Sequence, residues 1–469
     1  MSNSTSSQNP SAIFKEIEEL KRSFSFSNQE EEIAFYKKNS YLFAFTSANL
    51  SRLMPQIPYS HHKSIFEKLL FNLQLLNIEE QNPALFAPNF EVIDKTDILQ
   101  QAKNGKPFLF CCFHLGSYSS LLTLLTYNDL DFGFLLNQTL RNRKADDSLK
   151  VHQKFSQQIE IQQKRILKSK IQFINVEENK GIWSAIRMLK QGNSLIVYPD
   201  GNTGINTKES KKENQNTVQV NFLNERLLVK QGVAFLSYAC QVPIVPVISS
   251  RVDESIEYSL KRKFELLPAI YPPNSVKGNA EKENKSKEEF AAHTMQKLYS
   301  ILEKEISKKK NQQDINAQAN QWEGWIFVNK SFENLKKPIY LEKESQKQNS
   351  EKITKEKLNS EYIFNEAQFA LIESKKDGEQ NVKYTLFDKY TYRFFPVSDL
   401  LYETITYFSV PKKLYLSNSQ NKRTNPVSKD ISNSPVAMNS DSELQLSKTS
   451  IPISALEKLI NKKILVQFN

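Results

Sequence analysis

The sequence predicts an α/β fold in which a mostly parallel β-sheet is flanked by helices. The first observation is the uninterrupted apolar run Phe108–Phe113, which is typical of a strand buried on both faces. The second is the regular alternation of such strands with helical stretches as far as Ser249, which indicates parallel pairing through βα units. We expect a helical lead-in before this sheet and a small α+β module after it.

The alternation defines the expected elements one by one. After Phe108–Phe113, apolar runs predict strands at Phe132–Leu136, Ile171–Val176, Ser194–Tyr198, Thr217–Asn221, Ile244–Ser249 and Phe264–Leu267. Between and after them, helical spacing predicts helices at Leu121–Leu125, Asp146–Leu167, Gly181–Gln191, Val229–Cys240 and Phe290–Lys308.

Composition indicates that part of the chain lies outside packed domains. Hydrophobic residues are 39% of the 469 residues, below the average of globular proteins. We therefore expect a disordered, polar N-terminus with one short helix near Ile13, a main domain, a linker, and a small module with a disordered insertion. Their expected bounds are 1–30, 31–330, 331–360, 361–469 and 417–450.

The charge balance favours an acidic partner. Lys and Arg number 63 against 52 Asp and Glu, so the net charge is +11. An anionic membrane surface, an acidic carrier protein or a phosphorylated substrate would each suit that surplus. Nucleic acid ranks last, because the basic residues are spread through polar tracts rather than gathered beside aromatic residues.

Cysteine usage and hydropathy indicate a cytoplasmic protein. Cys111, Cys112 and Cys240 lack metal-ligand spacing and are expected to be reduced thiols, so no metal site is predicted. No stretch approaches the roughly 18 apolar residues of a membrane span, and the start lacks the pattern of a signal peptide. Any work on lipid is then expected at the inner membrane face, through peripheral contact.

His114 is the first candidate functional residue. It follows the buried strand Phe108–Phe113 directly, with Gly116 and a predicted helix start behind it. Open α/β sheets bind their ligands at the carboxyl ends of their strands, which is where this imidazole is expected. The alternative is a histidine satisfied within the core.

Asp200 is the second candidate. The strand Ser194–Tyr198 ends in Pro199-Asp200-Gly201, a tight turn at the same expected edge as His114. The carboxylate there is suited to fixing a substrate hydroxyl or amine, or to orienting a cation. An ordinary Pro-Asp-Gly turn is the alternative. A third segment, Val242–Val247, reads as a buried strand bracketed by prolines.

In order and spacing these three segments resemble the glycerolipid and lysophospholipid acyltransferase superfamily, and within it the lipid A biosynthesis acyltransferase branch. That family has His-x4-Asp/Glu after one strand, then Pro-Glu/Asp-Gly, then a Val-Pro-Ile-Val-Pro-Val-like strand. The basic segment 137–144 resembles its substrate-phosphate region, and the sequence QWEGW around Trp322 also echoes this branch. The resemblance covers roughly residues 31–330 and departs at one position, since Ser119 stands where the family has its acid.

The resemblance implies acyl transfer without a bound cofactor. His114 would act as general base on a hydroxyl or amine, which attacks the thioester of acyl carrier protein or CoA. Asp200 and the Gly201 backbone would orient the acceptor, and Ser119 would contact substrate. Basic and polar residues expected to attract phosphate are Asn137, Arg141, Arg143 and Lys144. A solvated basic loop is the other interpretation of that segment.

Ser119 leaves the function open. A carboxylate normally holds the imidazole in its working tautomer, and serine adds no charge. Either catalysis is weakened, or Asp129, Asp131 or Glu177 substitutes, or the fold has lost its chemistry. The rival hypothesis is therefore an inactive acyltransferase fold that serves as a lipid- or peptide-binding scaffold.

The C-terminal module has a weaker resemblance of its own. Strands are expected at Phe369–Ile372, Tyr384–Leu386 and Tyr390–Phe395, followed by a helix that Ser398 opens as N-cap. Together with a last helix from Ile453, this order is similar to the winged-helix peptide-recognition domains of ribosomal-peptide maturation systems. That resemblance implies a peptide or carrier-bound acceptor, and a purely structural extension is the alternative.

Overall fold

The computed structural model describes residues 10–136, 153, 155–160, 163–175, 180–201, 216–251, 261–274, 280–308, 319–333, 361–374, 382–409, 411–413 and 453–467. The chain divides into two compact units, Met1–Ile339 and Tyr340–Asn469. The insertion expected at 417–450 and most of the expected linker lie outside the described residues.

The first unit begins with helices. They are α1 (Pro10–Arg22), α2 (Gln29–Lys38), α3 (Ser40–Leu53), α4 (His62–Gln81) and α5 (Pro83–Phe86), with single 3-10 turns at Tyr59–His61 and Ala87–Asn89. The short helix expected near Ile13 is α1, and residues 1–9 before it lie outside the described residues. Ile13 and Ile17, one helical turn apart, are buried against Leu75 and Ile78 of α4, so α1 packs rather than remaining solvated.

A seven-stranded sheet forms the centre of the first unit, in the order β1-β9-β8-β2-β5-β3-β4. The strands of this unit are β1 (Phe90–Asp94), β2 (Leu109–Cys112), β3 (Phe132–Leu136), β4 (Ile171–Asn175), β5 (Ser194–Val197), β6 (Thr217–Phe222), β7 (Glu225–Lys230), β8 (Ile244–Arg251) and β9 (Arg262–Leu266). Within the described residues of this sheet, β4, β3, β5, β2 and β8 run parallel, β8 pairs antiparallel with β9, and β9 pairs parallel with β1. The predicted mostly parallel sheet flanked by helices is confirmed.

Helices connect and cover these strands. They are α6 (Ile98–Lys103), α7 (Ser120–Tyr127), α8 (Gly181–Lys190), α9 (Gly232–Cys240) and α10 (Ala280–Ile306), and residues 155–160 are also helical. Single 3-10 turns follow at Ala319–Gln321, Glu323–Ile326 and Val328–Ser331. None of the described helices is both long and apolar enough to cross a bilayer.

Two sequence predictions in this unit are wrong. The strand expected at Thr217–Asn221 forms a separate two-stranded hairpin with β7 and does not join the central sheet. Val229 lies in β7, so the helix expected from that residue begins only at Gly232. In β7, Leu227 and Val229 are buried and their neighbours are more exposed, which is the alternation of a strand. So short an apolar stretch does not distinguish a strand from a helix by its sequence alone.

Strand β2 lies at the middle of the sheet, between β5 and β8. All four of its residues are buried, as the apolar run predicts. The core around it contains Phe108, Phe110, Cys112, Leu121, Leu124, Leu125, Ile196, Val245, Val247 and Phe264. A strand held on both edges and both faces is a rigid support for whatever follows its last residue.

The second unit contains two three-stranded sheets and two helices among its described residues. One sheet has the order β14-β10-β15 and the other β11-β12-β13. The elements are β10 (Glu361–Phe364), β11 (Phe369–Ser374), β12 (Lys383–Asp388), β13 (Arg393–Val397), α11 (Asp399–Tyr407), β14 (Lys412–Lys413), α12 (Ile453–Asn461) and β15 (Leu465–Gln467).

Ser398 caps α11 as predicted, since its hydroxyl accepts the Leu401 N–H at 3.3 Å. The strand expected from Tyr390 begins instead at Arg393. The Asp388 carboxylate accepts N–H groups of Tyr390 and Thr391, and these bonds hold residues 389–392 in a turn. The winged-helix resemblance stays a prediction.

Candidate active site

The register of the central sheet brings His114 and Asp200 to one edge. Cys111 of β2 pairs with Val197 of β5 in a parallel ladder. His114 and Asp200 each come three residues after that pair, so they leave the carboxyl ends of neighbouring strands at the same height. This is the edge where open α/β sheets bind ligands.

The Asp200 carboxylate binds both the backbone and the ring of His114. Its Oδ1 lies 2.9 Å from the ring Nδ1, and its Oδ2 lies 3.0 Å from the His114 backbone nitrogen. An ionised carboxylate can only accept, so Nδ1 donates and the accepting nitrogen of the neutral ring is Nε2. The histidine side chain is 18% exposed and the aspartate 1%, so the ring reaches solvent while its partner does not.

The carboxylate that contacts the His114 ring is therefore that of Asp200, and these are the two residues predicted to be catalytic. The predicted contact of Asp200 with an acceptor stays a prediction. Asp129 and Asp131 were predicted as substitute acids. The first binds Arg165 at 2.6 Å and the second accepts the Lys170 N–H at 2.7 Å, so both hold neighbouring chain in place.

Ser119 lies just before α7, and its buried hydroxyl makes no hydrogen bond with the described residues. It therefore does not hold the His114 ring, and its predicted contact with substrate stays a prediction. Glu177 and the predicted phosphate-binding residues Asn137, Arg141, Arg143 and Lys144 lie outside the described residues. Within the described part of the chain, no three His, Cys, Asp or Glu side chains cluster as metal ligands would.

Three aromatic rings surround the imidazole. The ring centroids of Tyr118 and Tyr198 each lie 4.8 Å from that of His114, and the Phe327 ring lies 5.9 Å away. Burial raises the pKa of both phenols well above its ordinary value, and the Glu323 carboxylate raises it further. Both tyrosines thus stay neutral at physiological pH, and their rings favour a cationic imidazolium beside them.

Two glycines make room at this edge. Gly116 has φ +62°, and a Cβ there would lie 2.5 Å from the Ser249 carbonyl oxygen of β8. A side chain at this position would therefore both strain the backbone and collide with the neighbouring strand. Gly201 is the predicted backbone contact. A Cβ on it would lie 3.3 Å from His114 Cε1, so glycine leaves the ring edge uncovered.

Sequence reasoning missed one group of site residues. The sequence QWEGW around Trp322 was linked to the resembling family without a role at the site, yet Trp322 donates its indole N–H to Asp200 Oδ2 at 2.9 Å. Its neighbour Glu323 accepts the Tyr118 hydroxyl at 2.6 Å. The burial of Asp200 is what points to these residues, because a carboxylate removed from water needs several hydrogen-bond donors. His114 supplies only some of these donors, so others must come from elsewhere in the chain.

Comparison with known proteins finds similarity only at the level of solved structures. No family model matches the chain, and no curated protein does. A crystal structure of the 1-acyl-sn-glycerophosphate (LPA) acyltransferase PlsC from Thermotoga maritima matches with 15% identity and a TM-score of 0.24. The match covers 61% of this chain and 97% of that one.

Proposed function

We propose that this protein is an acyltransferase, which moves a fatty acyl group from a thioester to a hydroxyl or amine. The observation that carries the proposal is the pairing of His114 Nδ1 with Asp200 Oδ1 at 2.9 Å. This pairing supports the proposal, because a carboxylate at another strand end can supply the negative charge that Ser119 lacks.

The pairing suits His114 to general base catalysis. With Nδ1 donating to Asp200, Nε2 takes the proton of the acceptor hydroxyl or amine as that atom attacks the thioester carbonyl. The new C–O or C–N bond forms, the C–S bond breaks, and the leaving thiolate receives the proton from Nε2. Asp200 steadies the imidazolium between these steps, as do the neighbouring rings of Tyr118 and Tyr198.

The co-substrates follow from the same chemistry. We propose acyl carrier protein or CoA as the donor, and a lipid, a glycolipid or a peptide as the acceptor. The net charge of +11 suits both an acidic carrier protein and the phosphates of CoA. It also suits peripheral contact with an anionic membrane. Arg141, Arg143 and Lys144 remain proposed phosphate contacts.

Mass spectrometry of the products tests the proposal. The full chain is incubated with acyl-CoA or acyl carrier protein and a panel of lyso-lipids, sugars and peptides. We expect one acceptor class to gain an acyl group, and His114→Ala to slow that gain by at least ~100-fold. His293→Ala, which removes an exposed histidine on α10, is the matched control and should keep the wild-type rate.

An inactive binding scaffold gives a different result. Such a protein would acylate none of the acceptors, and His114→Ala would leave its ligand binding intact. Equal rates for His114→Ala and wild type would also refute the assigned base.

A further inference from the structure

The segment Gln321–Phe327, which we call the tryptophan segment, is hydrogen-bonded to the strand end that bears His114. The Gln321 carbonyl accepts the Gly116 N–H at 3.0 Å, and the Glu323 N–H donates to the His114 carbonyl at 2.9 Å. Leu115 and Trp322 pair between these bonds as an antiparallel bridge. A stretch some two hundred residues later in sequence therefore fixes the backbone on both sides of Leu115.

Trp322 adds a side-chain contact to this bridge. Its indole N–H donates to Asp200 Oδ2 at 2.9 Å, and the residue is 1% exposed. Neither group can exchange this bond for one with bulk water. A charge-assisted bond in such surroundings is stronger than a neutral one, and its loss leaves part of a buried charge unpaired.

Among the described residues, three N–H groups donate to the Asp200 carboxylate. Oδ1 receives the ring Nδ1–H of His114, Oδ2 receives the indole N–H of Trp322, and the His114 backbone N–H lies 3.3 Å and 3.0 Å from the two oxygens. Each oxygen thus has its own side-chain donor. This arrangement fixes the plane of the carboxylate and so the direction of the imidazole that it orients.

Packing holds the indole itself. The Trp322 ring makes edge contacts with Phe222 at 5.3 Å and with Trp325 at 4.8 Å. Trp325 is equally buried, and its own indole N–H donates to the Ala319 carbonyl at 2.6 Å. The segment therefore contains two buried indoles of similar environment, of which only one contacts Asp200.

We propose that Trp322 is a positioning residue, which acts through Asp200 to fix the orientation and protonation of the His114 ring. The proposal rests on the acyl-transfer function only for its kinetic consequence. Its structural consequence, a coupling between the Trp322 indole and the ionisation of His114, can be measured without any substrate.

Several titratable groups face the pair. Tyr118 lies beside the ring and donates its hydroxyl to Glu323. The charge of Asp200 also raises the pKa of four buried groups. These four are Cys111, Cys112, Tyr198 and Tyr299. Burial is the larger cause in each, so these thiols and phenols stay neutral below pH 9. Glu323 and Glu80 are the carboxylates whose charge also reaches Tyr118 and Tyr198.

The kinetic test uses Trp322→Phe, with Trp325→Phe as matched control. Both changes remove one buried indole N–H and keep an aromatic ring. We expect Trp322→Phe to lower kcat roughly 10- to 100-fold with little change in KM, and to move the acidic limb of the pH–rate profile to higher pH. The direction follows because the Asp200 charge, relieved of one donor, stabilises the imidazolium more. Trp325→Phe should lower the unfolding temperature but leave kcat and the pH–rate profile unchanged.

A second measurement uses the wild-type protein and needs no activity. The chain has only three tryptophans, so ¹⁵N-indole labelling gives three N–H resonances. The resonance that disappears in each single Trp→Phe variant belongs to the substituted tryptophan. We expect the Trp322 resonance to shift with pH at the midpoint at which the His114 ring titrates, while the Trp325 resonance stays constant. A Trp322 resonance that ignores this titration would overturn the proposal, even if acyl transfer is found. Equal kcat values in the two variants would do the same.

Discussion

Asp200 lies 86 residues after His114 in the chain, and its carboxylate contacts both the backbone nitrogen and the ring Nδ1 of that histidine. The two residues meet because β2 and β5 are neighbours in register and end together. In the proposed mechanism, the aspartate of the Pro-Asp-Gly turn supplies the negative charge that Ser119 does not.

Asp200→Asn should therefore abolish most of the proposed activity. The asparagine amide has one acceptor oxygen instead of two. Its NH2 group would face either His114 Nδ1–H or the Trp322 indole N–H, both of which are donors. This conflict favours the other tautomer of the His114 ring or a rotated ring. We expect the rate of acyl transfer to fall about 10²- to 10⁴-fold. Asp129→Asn breaks only the ion pair with Arg165 and should leave the rate unchanged. Comparable rates in both variants would remove Asp200 from the mechanism.

Gly116→Ala should displace His114 through the backbone. The added methyl would meet the Ser249 carbonyl at 2.5 Å in a backbone conformation that L-residues rarely adopt. We expect a loss of about 1–3 kcal/mol in the free energy of unfolding and a lower kcat. Gly105→Ala is the control, because its φ is also positive at +83° but nothing lies within 4 Å of the new methyl. Denaturant unfolding of both variants measures the difference, and equal losses would show that the close approach to β8 costs nothing.

A buried ion cluster ties the helical lead-in to the sheet. Glu79 of α4 has a side chain that is 0% exposed and lies 3.2 Å from Arg251 Nε and 2.7 Å from Arg262 Nη2. Burial alone would raise the pKa of Glu79, but the two guanidinium groups lower it below its ordinary 4.5. Glu79→Gln removes the carboxylate charge that both buried guanidinium groups face, and should cost about 3–5 kcal/mol of unfolding free energy.

The same cluster predicts a pH dependence. Because the folded-state pKa of Glu79 is below its unfolded value, its contribution is fully present above about pH 4.5 and is lost as the pH falls further. Denaturant unfolding measures the difference in unfolding free energy between wild type and Glu79→Gln from pH 7 to pH 3. We expect this difference to become smaller towards pH 3. Glu225→Gln, at the half-buried pair with Arg52, should cost only ~0–1 kcal/mol. A difference between wild type and Glu79→Gln that stays constant from pH 7 to pH 3 would contradict the lowered pKa of Glu79.

Lys389 in the second unit should make its stability rise with pH. The side chain is buried, its Nζ donates to the Glu366 carbonyl at 2.6 Å, and burial lowers its pKa from 10.5 to about 7. Between those two values the unfolded state binds a proton that the folded state does not, so the free energy of unfolding increases with pH across that window.

Hydrogen exchange of the full chain measures this effect. Opening free energies of amides in β11 and β12 should rise from pH 7 to pH 9, and Lys389→Met should remove the rise. Amides of β2 in the first unit provide the internal reference. The same slope in Lys389→Met and wild type would exclude Lys389 as its source.

The sequence by itself determined the parallel sheet and the place of His114. The apolar run of β2 is buried on both faces, and a histidine directly after such a strand has nowhere to lie except the carboxyl edge. The Pro-Asp-Gly turn was located by the same argument. Local pattern was sufficient here because burial and turn chemistry depend on near neighbours in the chain.

Only the tertiary structure decided which carboxylate is hydrogen-bonded to the imidazole, and which other side chain donates to that carboxylate. His114, Asp200 and Trp322 come from three distant segments, and no local sequence pattern predicts the hydrogen bonds between them. Their contact depends on the register of β2 with β5 and on the bridge between Leu115 and Trp322. Strand order and the docking of a late segment are set by the packing of the whole core, because many long-range contacts must be satisfied at once.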